Sequence, residues 1–426
     1  MIKIFKYGEV SNDELFYRQD MKTGVEDVVM DIIYNVRKNG DAALFEYGRK
    51  FDKAELTTLE VSEEEIDEAF EVVGEFRRVL ERAAGNIVKF HERQKRNSFL
   101  INDEDGIVMG QKVIPVDKAG LYVPGGTAAY PSTVLMDAIP AKIAGVGELV
   151  ITTPPGPDGK IDPYVLAAAK VAGVDRIFKV GGAQAIAALA YGTETVPKVD
   201  KIVGPGNAFV AEAKKQVFGV VSIDMIAGPS EVLCIADRKS NARHVAADLL
   251  AQAEHDKMAT AVLVTDSMEL AEQVAAEIDR QLETLPRKEI AGASIENNGK
   301  IIVTEDLRTA IEISNEIAPE HLELHMDNPF DYLDAVKHAG SVFMGRNCPE
   351  PLGDYFAGPN HTLPTLGTAK FSSPLSVDDF VKKTQYTYYT KEALSKVYED
   401  IAEFADHEGL HGHARSILSR FVEDPE

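Results

Sequence analysis

Apolar residues recur at helical spacing between Gly24 and Lys38, where Val25, Val28, Val29, Ile32, Ile33 and Val36 predict one buried stripe. A second helix is predicted to open at Ser62, which with Glu65 forms a capping box that satisfies free amide donors at a helix start. Ile66, Phe70, Val73 and Phe76 then supply its apolar face. Residues 1–103 thus read as a helical N-terminal region, expected to pack on the second α/β domain, and no chemistry is assigned to them.

From about 104 to 235 the pattern changes to short apolar runs, glycine turns and Ala-rich helices, which is the rhythm of βαβ units. Strands are predicted at Glu148 to Thr152, Arg176 to Val180 and Lys201 to Val203, with helices at Ala183 to Ala190 and Ala208 to Val217. Gly181, Gly182, Gly204 and Gly206 stand at strand ends, where open α/β sheets bind ligands. A second run follows Pro229: strand Glu231 to Ala236, helix Asn241 to Glu254, strand Ala259 to Thr265, helix Met268 to Leu285 and strand Lys300 to Thr304. Two α/β sheets are expected, in domains at 104–235 and 236–370, followed by a tail at 371–426 with one or two acidic helices, Lys391 to His407 and His413 to Phe421. That tail is too short to bury much surface alone and must dock on another part of the molecule or on a partner.

At 426 residues, 45% hydrophobic and 27% charged, the chain has the composition of a folded globular protein. The net charge of −24 argues against a nucleic-acid partner. Two cysteines, Cys234 and Cys348, make no disulfide framework, and the N-terminus leads to no long apolar segment, so a reduced cytoplasmic protein is expected. Apolar stretches around Leu135 to Ile151 and Phe178 to Tyr191 are interrupted before reaching the ~18 residues of a membrane span.

Candidate chemistry concentrates late in the chain. Gln252 and His255 lie three apart at a predicted helix end and can face one centre. Glu320 and His321 follow a turn at Ala318 and Pro319, Asp354 and His361 flank a bent polar loop, and His411 and His413 lie close together in the tail. These nitrogen and oxygen donors suit a borderline divalent ion such as Zn or Mn, with acid/base groups to spare. The glycine turns admit a dinucleotide, although the full GxGxxG fingerprint is absent. On residues alone the chain is a metal-dependent α/β enzyme, either a hydrolase or a dehydrogenase.

The runs Gly120-Leu-Tyr-Val-Pro-Gly-Gly126, Val180-Gly-Gly-Ala-Gln-Ala-Ile186, Gly204-Pro-Gly-Asn-Ala-Phe209, Ala227-Gly-Pro-Ser-Glu231, Ala318-Pro-Glu-His-Leu-Glu323 and Gly353-Asp-Tyr-Phe-Ala-Gly-Pro-Asn-His361 closely resemble the histidinol dehydrogenase family, in order and spacing from roughly residue 10 to 420. The resemblance implies two incomplete Rossmann-like domains with parallel sheets, of the aldehyde/histidinol dehydrogenase kind, which accounts for the missing fingerprint. It also implies a homodimeric, zinc-dependent enzyme that oxidises L-histidinol through the aldehyde to L-histidine and reduces two NAD.

Carried onto this chain, the family's metal ligands fall on Gln252, His255, Asp354 and His413, with one Zn2+ per subunit. Ser230, His361 and Glu408 match substrate-contacting positions, while Tyr122, Gln184 and Asn207 match NAD contacts. His321 matches the base for the alcohol proton and Glu320 the base that activates water on the aldehyde. The tail, with Glu408 and His413, is implied to cross to the partner subunit; His411 is expected to be a surface residue. Alternatives are a related dehydrogenase of another small alcohol, such as a sulfonated diol, a zinc hydrolase, or a nonenzymatic scaffold.

Overall fold

The computed structural model describes residues 2–11, 15–16, 24–125 and 129–421; Gly126, which ends the first glycine run, lies outside them. The chain divides into two compact units, Met1–Gln94 with Val116–Phe380 and Lys95–Pro115 with Val381–Glu426.

The first unit holds two parallel sheets. In the five-stranded sheet the order is Arg176–Lys179, Glu148–Thr153, Lys118–Tyr122, Lys201–Val203, Ser222–Ile223. The six-stranded sheet runs Lys3–Lys6, Lys300–Val303, Thr260–Thr265, Glu231–Ala236, His321–His325, Ser341–Met344. Parallel sheets are covered on both faces, so their central strands read as unbroken apolar runs. Glu231–Ala236 is buried along its whole length, and along Glu148–Thr153 the side chains of Leu149 and Ile151 enter one core while Val150 enters the opposite one.

The N-terminal helices do not sit on the second α/β domain as expected. Glu26–Asn39 and Asp41–Tyr47 pack with Phe178 and Ile186 on one side of the five-stranded sheet, and Glu63–Val72 and Phe76–His91 pack with Leu149 and Ile151 on the other. For Glu26–Asn39 and Asp41–Tyr47 the cause is the Ala-rich helix Gly182–Tyr191 on the same face, whose residues Ala183 to Ala190 are all buried. A helix that is apolar all round needs an outer layer to cover it, and those two N-terminal helices provide that layer. Among the described N-terminal residues the strand Lys3–Lys6 joins the six-stranded sheet, beside Lys300–Val303, and Leu15 packs in that sheet's core. At Ser62 the capping box forms: its hydroxyl accepts the Glu65 N–H at 3.2 Å and its own N–H donates to Glu65 at 3.0 Å, an arrangement that stabilises a helix start by about 1 kcal/mol.

The second unit is an antiparallel sheet of Val381–Tyr389, Ile107–Pro115 and Phe99–Ile101, in that order, with the helices Lys391–Leu394, Tyr398–His407 and His411–Leu418. The tail is therefore not helical throughout. Its first nine-residue element is a strand, and the helix expected from Lys391 to His407 is broken between Leu394 and Tyr398.

Candidate active site

The two sheets contribute opposite edges to the polar side chains singled out in the sequence. Tyr122, Gln184 and Asn207 follow the carboxyl ends of strands in the five-stranded sheet. Ser230, Glu320 and His321, by contrast, stand where strands Glu231–Ala236 and His321–His325 begin, and Gln252 and His255 precede Thr260–Thr265. The carboxyl-edge rule for open sheets thus locates the first group and not the second.

Ala318 ends the helix Leu307–Ile317 in a left-handed conformation, φ 50°, and turns the chain into strand His321–His325. The adjacent Glu320 and His321 side chains then converge, with His321 Nδ1 3.6 Å from Glu320 Oε2. That carboxylate accepts the Glu231 N–H at 2.8 Å, and the Glu231 carbonyl lies 3.0 Å from His321 Nδ1. Because a carbonyl oxygen can only accept, Nδ1 carries the proton and Nε2 keeps its lone pair. Nε2 is buried, has no hydrogen-bond partner among the described residues and faces Asp354 Oδ1 at 3.8 Å. Burial pushes the His321 pKa down against the Asp354 charge, and burial holds the Glu320 carboxyl well above its usual range.

Asp354 lies in a π-turn, Gly353–Ala357, that docks on the helix Phe76–His91 through a 2.7 Å hydrogen bond from Asn86 to the Phe356 carbonyl. The next residues are clasped by the helix Pro131–Ala144: Thr133 Oγ1 lies 3.4 Å from His361 Nε2, the Met136 carbonyl accepts from Asn360 at 2.7 Å, and Asp137 accepts the Thr362 hydroxyl at 3.0 Å. His361 Nδ1 lies 3.1 Å from the Asp354 carbonyl, and the charge of His255 acts on both His321 and His361. Four of the expected residues, His255, His321, Asp354 and His361, thus share one neighbourhood. Gln252 is fully buried three residues before His255, and neither atom of its amide has a hydrogen-bond partner among the described residues. An unpaired buried amide is costly unless something else satisfies it. The orphaned Gln252 oxygen, with the His255 imidazole and the Asp354 carboxylate, supplies the hard and borderline donors that suit Zn or Mn, so the residues fit a divalent ion and leave the His321 Nε2 lone pair free to act as a base.

Two members of this region were not singled out in the sequence. Glu350, between Pro349 and Pro351, presents a ligand atom within 4.8 Å of those of His321 and Asp354, and burial beside the Asp354, Glu323 and Glu320 carboxylates raises its pKa. Glu323 lies on the same strand as His321 and accepts from Cys234 Sγ, 3.0 Å away, and from the Glu350 N–H at 2.6 Å, while His325 Nε2 is 3.0 Å from it. The alternation His321, Glu323, His325 between leucines was the available clue, because polar residues on one side of a strand buried on both faces must be partnered.

A cavity of about 1060 Å³ opens at the carboxyl edge of the five-stranded sheet and is lined by Tyr122, Gln184 and Asn207 among others. The helix N-termini around it are already capped: Tyr122 accepts the Gly182 N–H at 3.1 Å, Asn207 accepts those of Phe209 and Val210, and Asp162 accepts that of Tyr164. A dinucleotide fits the volume, and Lys50 and Lys160 line it as side-chain cations that a pyrophosphate could meet. The turn beside Asn207 is held by a buried ion pair. Lys214 donates to the Gly204 carbonyl at 3.0 Å, Asp224 accepts the Gly204 N–H at 2.8 Å, and the two side chains contact one another.

Glu408 and His413 belong to the second unit and are exposed in it, the first at the end of helix Tyr398–His407 and the second in His411–Leu418. His411 is exposed as expected, paired with Asp406 at 2.8 Å.

Residues 17–421 match the family model described as histidinol dehydrogenase. A histidinol dehydrogenase of Bacillus cereus is 57% identical over 94% of this chain and 93% of its own, and one of Clostridium acetobutylicum is 55% identical over 99% of both. The crystal structure of histidinol dehydrogenase from Elizabethkingia anophelis superposes with a TM-score of 0.93 at 39% identity and covers 98% of each chain. The site built at the start of strand His321–His325 therefore stands in a chain that belongs to the histidinol dehydrogenase family.

Proposed function

We propose that this chain oxidises L-histidinol to L-histidine through L-histidinal, with NAD as acceptor and a zinc ion held by Gln252, His255 and Asp354 together with His413 of a second subunit. The observation that carries the reading is the unpartnered, lone-pair-bearing Nε2 of His321, set 3.8 Å from Asp354 and within electrostatic reach of His255, three residues from which stands the unsatisfied buried amide of Gln252. When bound, the ion orients and polarises the alcohol and NAD takes up hydride.

His321 Nε2 receives the hydroxyl proton as hydride leaves the carbinol carbon, and the Glu231 carbonyl fixes the tautomer that makes this possible. Glu320, steadied by the Glu231 N–H, then removes a proton from the water that adds to the aldehyde, giving the hydrate whose second hydride loss yields the carboxylate. Ser230, His361 and Glu408 hold the substrate, Glu408 being suited to a cationic amine or an imidazole N–H. Tyr122, Gln184 and Asn207 line the cofactor cavity. A homodimer with shared sites accommodates the exposed positions of Glu408 and His413. The free thiols Cys234 and Cys348 suit the reducing cytoplasm.

The test is nicotinamide reduction with L-histidinol before and after chelation, repeated with His255→Ala. Bound zinc and turnover are expected to fall together. Normal rates with full chelation, or a His255→Ala enzyme with stoichiometric zinc and normal turnover, would remove the metal assignment.

A further inference from the structure

The N-terminal region, assigned no chemistry from its sequence, forms one wall of the cofactor cavity through Val28, Ile32 and the turn Lys50, Phe51, Asp52. Three aspartates line that cavity. Asp158 accepts the Lys160 N–H at 3.1 Å and Asp162 the Tyr164 N–H at 2.8 Å, so both are spent on local turns. Asp52 has no hydrogen-bond or ion-pair partner among the described residues. Its backbone is fixed by the π-turn Gly48–Asp52, closed by Lys53 at φ 57° and by the Ala54 N–H donating to the Gly48 carbonyl at 3.2 Å. A half-buried carboxylate held in place without a partner is a feature that a ligand can complete.

The two faces of the five-stranded sheet say which end of a dinucleotide it would meet. The loop carrying Asp354 and His361 is held by the helices Phe76–His91 and Pro131–Ala144, which belong to one face. Asp52 follows the helices Glu26–Asn39 and Asp41–Tyr47, which belong to the other, with Tyr122 near enough to feel its charge. The reactive ring must lie toward His321, which leaves the adenosine end for Asp52.

We propose that Asp52 is a specificity-determining residue that accepts hydrogen bonds from the adenosine ribose hydroxyls and so rejects a 2′-phosphorylated dinucleotide. A carboxylate binds a vicinal diol well and repels a phosphate dianion placed on the same oxygen. The inference rests on reading the cavity as the dinucleotide site. Burial lifts the Asp52 carboxyl to about 6, which leaves it ionised at neutral pH.

The test is calorimetric binding, without turnover, of NAD, NADP, 5′-ADP and 2′,5′-ADP to the zinc-loaded wild type, Asp52→Asn and Asp52→Ser. The wild type should prefer the unphosphorylated member of each pair, and both variants should shrink that preference at least about tenfold. The ADP pair must follow the dinucleotide pair, because the discrimination is placed at the adenosine end. An unchanged ratio in a folded variant would overturn the role of Asp52, as would a wild type that favours the 2′-phosphate through Lys50 and Lys160. A wild type that binds neither dinucleotide would instead remove the cavity assignment, and the inference with it.

Discussion

The Glu323 carboxylate accepts the Glu350 N–H at 2.6 Å, so the strand that begins with His321 also holds the start of the short helix that leads into Asp354. Glu323 touches no expected ligand itself and acts by position. Glu323→Gln should weaken zinc retention roughly tenfold or more, the usual scale for groups that orient metal ligands. Chelator competition on the purified variant measures this. A variant that holds zinc as tightly as wild type would make Glu323 merely a core residue.

The division of labour proposed for Glu320 and His321 is separable in time. Glu320→Gln should slow the oxidation of supplied histidinal more than the first hydride transfer from histidinol, whereas His321→Asn should slow the first transfer, each by about 10²-fold or more. Stopped-flow absorbance of reduced nicotinamide distinguishes the two phases. Equal loss of both phases in Glu320→Gln would end the assignment of separate roles.

The turn at Gly204 depends on a backbone that only glycine adopts easily, φ 113°, and an added Cβ would collide with the Tyr122 carbonyl. Gly204→Ala is expected to cost roughly 1–3 kcal/mol. Lys214→Met leaves Asp224 buried without its countercharge and should cost about 3–5 kcal/mol. Denaturant titration checks both values, and a neutral Lys214→Met would show that the ion pair contributes nothing net.

Asp52 gives a pH signature in stability. Its carboxyl is raised by burial from 3.8 to about 6, so the folded chain binds this proton more tightly than the unfolded chain. That contribution is full below the unfolded value and is lost as the pH rises through about 6. Asp52→Asn should therefore melt higher than wild type at pH 8, with the difference closing by pH about 4. Thermal scans at the two pH values decide it, and a gap that widens on acidification would give the shift the opposite sign.

Glu408 and His413 are tested by mixing. If the partner's tail completes each site, co-refolding inactive Asp354→Ala with inactive His413→Ala at random should restore roughly a quarter of wild-type sites, since half of the dimers are mixed and each holds one intact site. A mixed but inactive dimer would show that the tail serves its own subunit.

Six of the eleven strands of the two parallel sheets were legible because a buried parallel strand writes a continuous apolar run, as Glu231–Ala236 does to the residue, whereas His321–His325, just as buried, alternates polar and apolar residues and was missed. Lys3–Lys6 was not legible either, since it is mostly exposed and its partner begins at Lys300. Val381–Tyr389 was missed because Lys, Thr, Gln and Tyr give no apolar face, and only pairing with Ile107–Pro115 makes it a strand. At the site, histidines and carboxylates near turns drew notice, but spacing alone did not select Gln252 or rank His413 over His411. Glu350 and Asp52 carry no local pattern at all. Their significance comes from what the fold places beside them.

The pairing of Lys3 with Lys300 also sets a schedule for the growing chain. At roughly 5–20 residues per second, Lys3–Lys6 waits on the order of 15–60 seconds after its own synthesis for Lys300–Val303, its one neighbour in the sheet among the described residues. During that interval the N-terminal helices can settle on the five-stranded sheet, whose last strand ends at Ile223, well before the six-stranded sheet is complete. The growing chain can thus complete its five-stranded half first and close its six-stranded half by recovering a strand made long before its partner.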